Sequence, residues 1–137
     1  MRSFTITTRR KRRIMTTYIV LLTGNESAWA EMSEHQQAEV FERHEKFAAL
    51  LEARGHQITG GQELTPSAET KTLTKSDDGK FSITDGPYAE SVEQLGAFYT
   101  VESDDIDDLL EICQVLAEPD GAIEVRAAVD HGEEAAG

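Results

Sequence analysis

A single cysteine, Cys113, leaves this chain no partner for an internal disulfide and no set of thiolates for a zinc site. That usage fits a reducing compartment, so a cytoplasmic protein is expected. No apolar run approaches the roughly 18 residues of a membrane span. The apolar stretch nearest the N-terminus, Tyr18 to Leu22, also falls short of the roughly 7–15 residues of a signal-peptide core. The chain is therefore expected to stay inside the cell. Internal repeats and low-complexity segments are absent as well. Basic residues are scarce: 13 Lys and Arg stand against 26 Asp and Glu, a net charge of −13.

The imbalance is unevenly spread. Six of the 13 basic residues lie in the first 14 positions, which hold no acidic residue. Residues 15–137 thus carry the other 7 basic side chains with all 26 acidic ones, a net of −19. A body so acidic repels phosphate backbones and anionic lipid, which argues against nucleic acid or membrane as its partner. A second copy, a small organic ligand or a regulatory protein stays open. The run Arg9-Arg10-Lys11-Arg12-Arg13 admits a nucleic-acid arm, a nuclear address, a targeting remnant or a tail folded onto its own acidic body. Self-repulsion without apolar periodicity favours a disordered extension over residues 1–14. A length of 137 residues suits one domain. It is expected over 15–130, with a flexible acidic tail at 131–137.

Thr17 to Thr23 reads as a buried strand, with Tyr18, Val20 and Leu22 on one face and Ile19 and Leu21 on the other. Gly24 to Met32 reads as a loop. Ser33 with Gln36 forms a capping-box pattern that opens a helix, and Gly55 is placed to end it. Val40, Phe41, His44, Phe47, Ala48 and Leu51 form its inner stripe. His56 to Leu64 reads as a strand. Thr70–Lys75 and Lys80–Thr84 flank the hairpin signal Asp77-Asp78-Gly79. Leu95 to Val101 is a further strand. Ser103 is expected to cap a second helix with an inner stripe of Ile106, Leu109, Leu110, Cys113 and Leu116. Ile123, Val125, Ala127 and Val129 alternate as a last strand. The order predicts an α+β fold: a ferredoxin-like split βαβ with an inserted hairpin. Two helices cover one sheet face, so the other, apolar face is expected to be buried by a second subunit in a homodimer.

His44 stands in the apolar stripe of the first helix, where burial costs an imidazole unless its nitrogens find partners. It is either a satisfied core histidine or a general acid/base. Asp85 opens the turn Asp85-Gly86-Pro87, a position where an Asx residue favours the bend. Arg126 lies on the polar face of the last strand and suits either a cross-strand ion pair or a carboxylate clamp. Cys113 on an inner helix face reads as an inert core thiol. His35, His44, His56 and His131 show no H-x-x-x-H spacing, so neither metal nor cofactor is expected. The run Glu102 to Glu111 lacks the spacing of a calcium loop and reads as a solvated helix face.

The stretch Asp85-Gly86-Pro87-Tyr88-Ala89-Glu90-Ser91-Val92-Glu93-Gln94-Leu95-Gly96-Ala97-Phe98-Tyr99 resembles the signature of the YCII-related (DGPF-domain) family, D-G-P-F-x-E-x-K-E-Q-L-G-G-F/Y-Y. Arg43 through Gly55 resembles the family's first helix, and Glu124-Val125-Arg126 its V-E-V-R ending. The resemblance implies a dimeric α/β barrel with a pocket at the DGP turn. It also implies a proposed active site pairing a helix histidine with an aspartate, here His44 with Asp85, and binding contacts at Tyr88, Glu90 and Arg126. Glu93 fills the signature's other acidic position. Val92 replaces the family's lysine, removing an anion contact, and Tyr88 adds a hydroxyl. The implied function is a small-molecule enzyme of isomerase or lyase type. The alternative is a non-enzymatic ligand-binding or regulatory module linked to an extracytoplasmic-function sigma factor.

Overall fold

The computed structural model describes residues 14–89, 91 and 93–132. All but Ile14 of the predicted basic extension, and residues 133–137 of the predicted tail, lie outside that set. The fold is α+β. Strand β1 spans Thr16–Asn25, followed by helices α1 (Glu26–Glu31) and α2 (Glu34–Ala53). Strand β2 (Gln57–Glu63) leads to a hairpin of β3 (Lys71–Lys75) and β4 (Phe81–Asp85). Then come β5 (Glu93–Ser103), helix α3 (Ile106–Cys113) and β6 (Ala122–Ala127).

The main sheet has the order β2-β5-β1-β6, and each neighbouring pair is antiparallel. This interleaving is what two β-α-β units sharing one sheet produce, as the element order predicts. The hairpin forms a separate two-stranded sheet. The sheet is open: no barrel closes among the described residues.

One sheet face meets α2 and α3. Val20 and Val101 from the strands pack with Phe47, Leu51, Leu109, Ile112, Cys113 and Leu116 in a single buried cluster. Pleat alternation sends Ile19, Leu21 and Phe98 to the opposite face, where they are only half-buried. No described helix is long and apolar enough to cross a membrane.

The capping box at Ser33 is present in both directions: the Gln36 N–H donates to Ser33 Oγ at 3.1 Å, and the Ser33 N–H to Gln36 Oε1 at 2.9 Å. Ser33→Ala should lower unfolding free energy by about 1 kcal/mol, read by urea denaturation; a change near zero would mean that solvent replaces the cap. The helix ends where Gly55 adopts φ 89°, a left-handed geometry that glycine tolerates.

Several expectations are corrected. The predicted loop at Gly24–Met32 holds the end of β1 and a short helix, because Asn25 Oδ1 accepts from the Ser27 and Ala28 N–H groups. Ser103 does not cap α3; it is fully buried at the end of β5, and Asp105 caps by accepting from the Asp108 N–H. The stripe of α3 is also rotated. Leu109, Ile112 and Cys113 are buried, whereas Ile106 and Leu110 are 37% and 43% exposed. A bond from His56 to Asp108 turns that side of the helix toward β2. Phe41 is 52% exposed rather than inside, and Ala48 faces out. Val129 lies beyond the end of β6, exposed.

Candidate functional site

His44 sits near the middle of α2, half-buried, on the stripe that also carries Phe47 and Leu51. Its Nδ1 lies 2.6 Å from the Tyr99 hydroxyl. Tyr99 reaches it because β5 alternation puts Tyr99 on the helix-facing side with Val101, and the Phe47 ring supports it at 5.1 Å between centroids. Gly61 on β2 makes room: a Cβ there would lie 2.7 Å from the Phe98 carbonyl oxygen and 3.0 Å from Tyr99 Cδ1.

Burial pushes the His44 pKa below its usual 6.5, and the neighbouring Arg43 lowers it further, while the Glu63 carboxylate pulls the other way. Burial raises the Tyr99 phenol above its usual 10.0. At neutral pH the site therefore holds a neutral imidazole against a neutral phenol. Arg43 is itself occupied by the Glu118 carboxylate.

An aromatic pair flanks this part of α2. Phe41, one turn before His44, meets Trp29 edge-on at 5.8 Å. α1 holds Trp29 there because the Trp29 carbonyl accepts from Gln37 Nε2 at 3.1 Å. The Glu26 carboxylate takes the Ser67 N–H and hydroxyl at 2.8 and 2.7 Å. A hydrogen-bonded imidazole and phenol beside aromatic rings suit proton transfer on a small organic molecule.

The other site residues predicted from sequence lie elsewhere. Asp85 ends β4 and its carboxylate is taken by Lys71, its cross-strand partner in the hairpin. The structure thus joins His44 to Tyr99 and Asp85 to Lys71. Tyr88 is 85% exposed. Glu90 lies outside the described residues. Glu93 is exposed at the start of β5. Arg126 is exposed on β6 opposite Ile19, with no ion pair among the described residues. Cys113 is buried and its thiol is pushed up to about 11, which suits an inert core residue.

Two groupings escaped the sequence reading. Tyr99 was legible as a strand residue, and a buried tyrosine on a helix-facing strand position needs a partner for its hydroxyl. His56 was legible only as a scattered histidine, yet it is 5% exposed and satisfied on both nitrogens. Its Nδ1 is 2.8 Å from Ser103 Oγ and its Nε2 is 2.7 Å from Asp108 Oδ2. The residue types are those of a nucleophilic triad, but Ser103 is fully buried and no substrate can reach it. Its role is structural.

Among the described residues, no group of three His, Cys, Asp or Glu side chains is arranged to hold a metal ion. A recess along α3, lined by Asp105, Asp107, Asp108, Leu110, Glu111 and Gln114, is acidic and wide open. No curated protein matches the chain. The model of the YCII-related domain matches residues 16–130, from the first residue of β1 to just past β6. With every strand and helix of the sheet and its cover inside that match, the chain belongs to the YCII-related family.

Proposed function

We propose that the protein is a small-molecule enzyme of the isomerase or lyase type in which His44 moves the proton and Tyr99 positions it. The observation that carries this reading is the 2.6 Å bond between His44 Nδ1 and the Tyr99 hydroxyl. When Nδ1–H donates to Tyr99, Nε2 keeps its lone pair and is the base. It takes a proton from a carbon or oxygen of the substrate. Returning that proton to a neighbouring atom gives an isomer; loss of a leaving group gives elimination. Glu63 favours the imidazolium as it forms. Tyr88, Glu90 and Arg126 stay in this reading as ligand contacts, brought in by the family resemblance; Asp85, which the resemblance pairs with His44, is held by Lys71 instead. The apolar sheet face with Ile19, Leu21 and Phe98 is covered by a second copy, which closes the two sheets into a dimeric barrel.

The test is ¹⁵N NMR of the His44 ring across pH in the wild type, Tyr99→Phe and Asp85→Asn. His44 should titrate below 6.5 in the wild type. Tyr99→Phe should displace the Nδ1 resonance, and Asp85→Asn should leave it in place. The reverse pattern would restore the His44–Asp85 pair. Turnover should rise with pH through the lowered pKa, because only the unprotonated ring is a base. A His44→Ala variant with undiminished turnover would remove the enzyme reading and leave a ligand-binding or regulatory module.

A further inference from the structure

We infer that the site around His44 takes a small organic cation, a protonated amine on an apolar body, whose ammonium group is held by Glu63. The inference rests on the proton-transfer reading above and names the substrate class of that same site. Strand register brings Glu63 there. Gly61 pairs with Tyr99 and Glu63 with Ala97, and from the other side of β5 the same two residues pair with Val20 and Leu22. Val20 is in the helix-facing core and Tyr99 packs against it, so pleat alternation puts Glu63, two residues past Gly61, on that face as well. His44 is bonded to Tyr99 on this face, and the Glu63 carboxylate acts on its ring.

The Glu63 carboxylate is uncommitted. It is exposed and makes no hydrogen bond or ion pair among the described residues. The cation that acts on His44, Arg43, is already taken by Glu118. The open charge beside the imidazole is therefore negative. Residues 15–137 carry a net of −19, a field that gathers cations and repels anions.

The rings near the histidine fit the same ligand. Phe41 is one turn before His44 on α2, so the two side chains are neighbours on the helix surface. Phe41 is 52% exposed, and Trp29 meets it edge-on at 5.8 Å, an arrangement that leaves ring surface open. The face of such a ring attracts a cation through its quadrupole, and a carboxylate adds a charge-assisted hydrogen bond from the ammonium. Positive charge on nitrogen also draws electrons from the adjacent carbon and loosens its proton. That suits a base as weak as a half-buried, neutral imidazole.

The experiment is an NMR titration of the full chain at pH 7 with three probes of similar shape: benzylammonium, benzyl alcohol and benzoate. Trp29 is the one tryptophan, so its indole N–H signal is unambiguous. The ring ¹⁵N signals of His44 are followed with it. Benzylammonium should shift both and bind about fivefold more tightly than the other two, since an exposed carboxylate is a modest contact. Glu63→Gln should erase that preference, and Phe41→Leu should weaken benzylammonium about threefold. Glu124→Gln removes the same charge from the opposite sheet face, opposite Leu21, and should leave the preference intact. Benzyl alcohol or benzoate binding as tightly as benzylammonium, with Trp29 and His44 still shifting, would overturn the amine class and leave the His44 site standing. A Glu63→Gln protein that keeps the preference, or silence at both signals with all three probes, would also overturn it. Undiminished turnover in His44→Ala, with benzylammonium still preferred, would instead remove the enzyme reading and leave an amine-binding module.

Discussion

Replacing Phe47 by alanine is expected to lower the unfolding free energy by roughly 3–5 kcal/mol. Phe47 is fully buried on α2 and belongs to the one core cluster, so truncation removes transfer energy and leaves a cavity. In a chain of this size each kcal/mol lowers the melting temperature by about 3 °C, which puts the variant roughly 10 °C or more below the wild type. The loss should also be read at the site. Phe47 packs against the Tyr99 ring, and Tyr99 holds His44. Phe47→Leu keeps most of the volume and should cost about 1 kcal/mol, with the His44 resonance near its wild-type position. Urea denaturation with ¹⁵N spectra of the same samples checks both. A Phe47→Ala protein losing under 1 kcal/mol would mean that α2 is not clamped to the sheet here.

His56→Ala is the second large effect, expected at about 2–3 kcal/mol. The ring is buried where β2, β5 and α3 meet, and it joins Ser103 to Asp108. Ser103 keeps its bonds to Asp105, whose N–H it accepts at 3.0 Å and whose carbonyl it reaches at 3.1 Å. Asp108 keeps Arg54. The cost is therefore the cavity and two hydrogen bonds, not an abandoned charge.

The pH dependence follows from Asp108. The His56 bond first, and Arg54 after it, hold this carboxyl below its usual 3.8. A depressed carboxylate stabilises the fold above its unfolded pKa, and that contribution is lost as pH falls through the folded one. Acid unfolding of His56→Ala should thus begin at higher pH than in the wild type. His44 acts in the same sense in another window. Its lowered pKa means that the unfolded chain binds the proton more readily, so stability falls as pH drops below 6.5. Denaturation profiles from pH 7 downward separate the two, since His44→Ala removes the upper window and leaves the Asp108 contacts in place. A gap between wild type and the His56→Ala variant that stays constant from pH 7 to the lowest pH, instead of narrowing as Asp108 protonates, would refute the Asp108 assignment.

Local signals were legible because they are satisfied locally. The Ser33–Gln36 box, the Gly55 stop and the Asp77-Asp78-Gly79 turn each complete their bonds within a few residues. Strand alternation grouped Tyr18, Val20 and Leu22 on one face, and the structure shows that this face is the one packed on the helices. The errors fall where a residue answers to something distant. Ser103 has the residue type of a helix cap, yet its hydroxyl bonds a histidine 47 positions away. The face that α3 buries is turned by His56, so periodicity counted within the helix gave the wrong phase at Ile106 and Leu110. Phe41 has the spacing of a core residue but meets Trp29 at the surface, because α1 occupies the stretch read as a loop.

The candidate site divides the same way. By itself the sequence determined the order of the strands and the two longer helices, the α+β class, the family and the place of His44 on the inner stripe of α2, since burial pattern and motif are properties of neighbours along the chain. It could not choose a partner for the imidazole. Asp85 was the carboxylate suggested by resemblance, but cross-strand register hands it to Lys71. Tyr99, 55 residues from His44, is brought within 2.6 Å by the packing of α2 on β5. Only the tertiary structure decided that contact, because hydrogen bonds select by distance and direction in space, and sequence separation fixes neither.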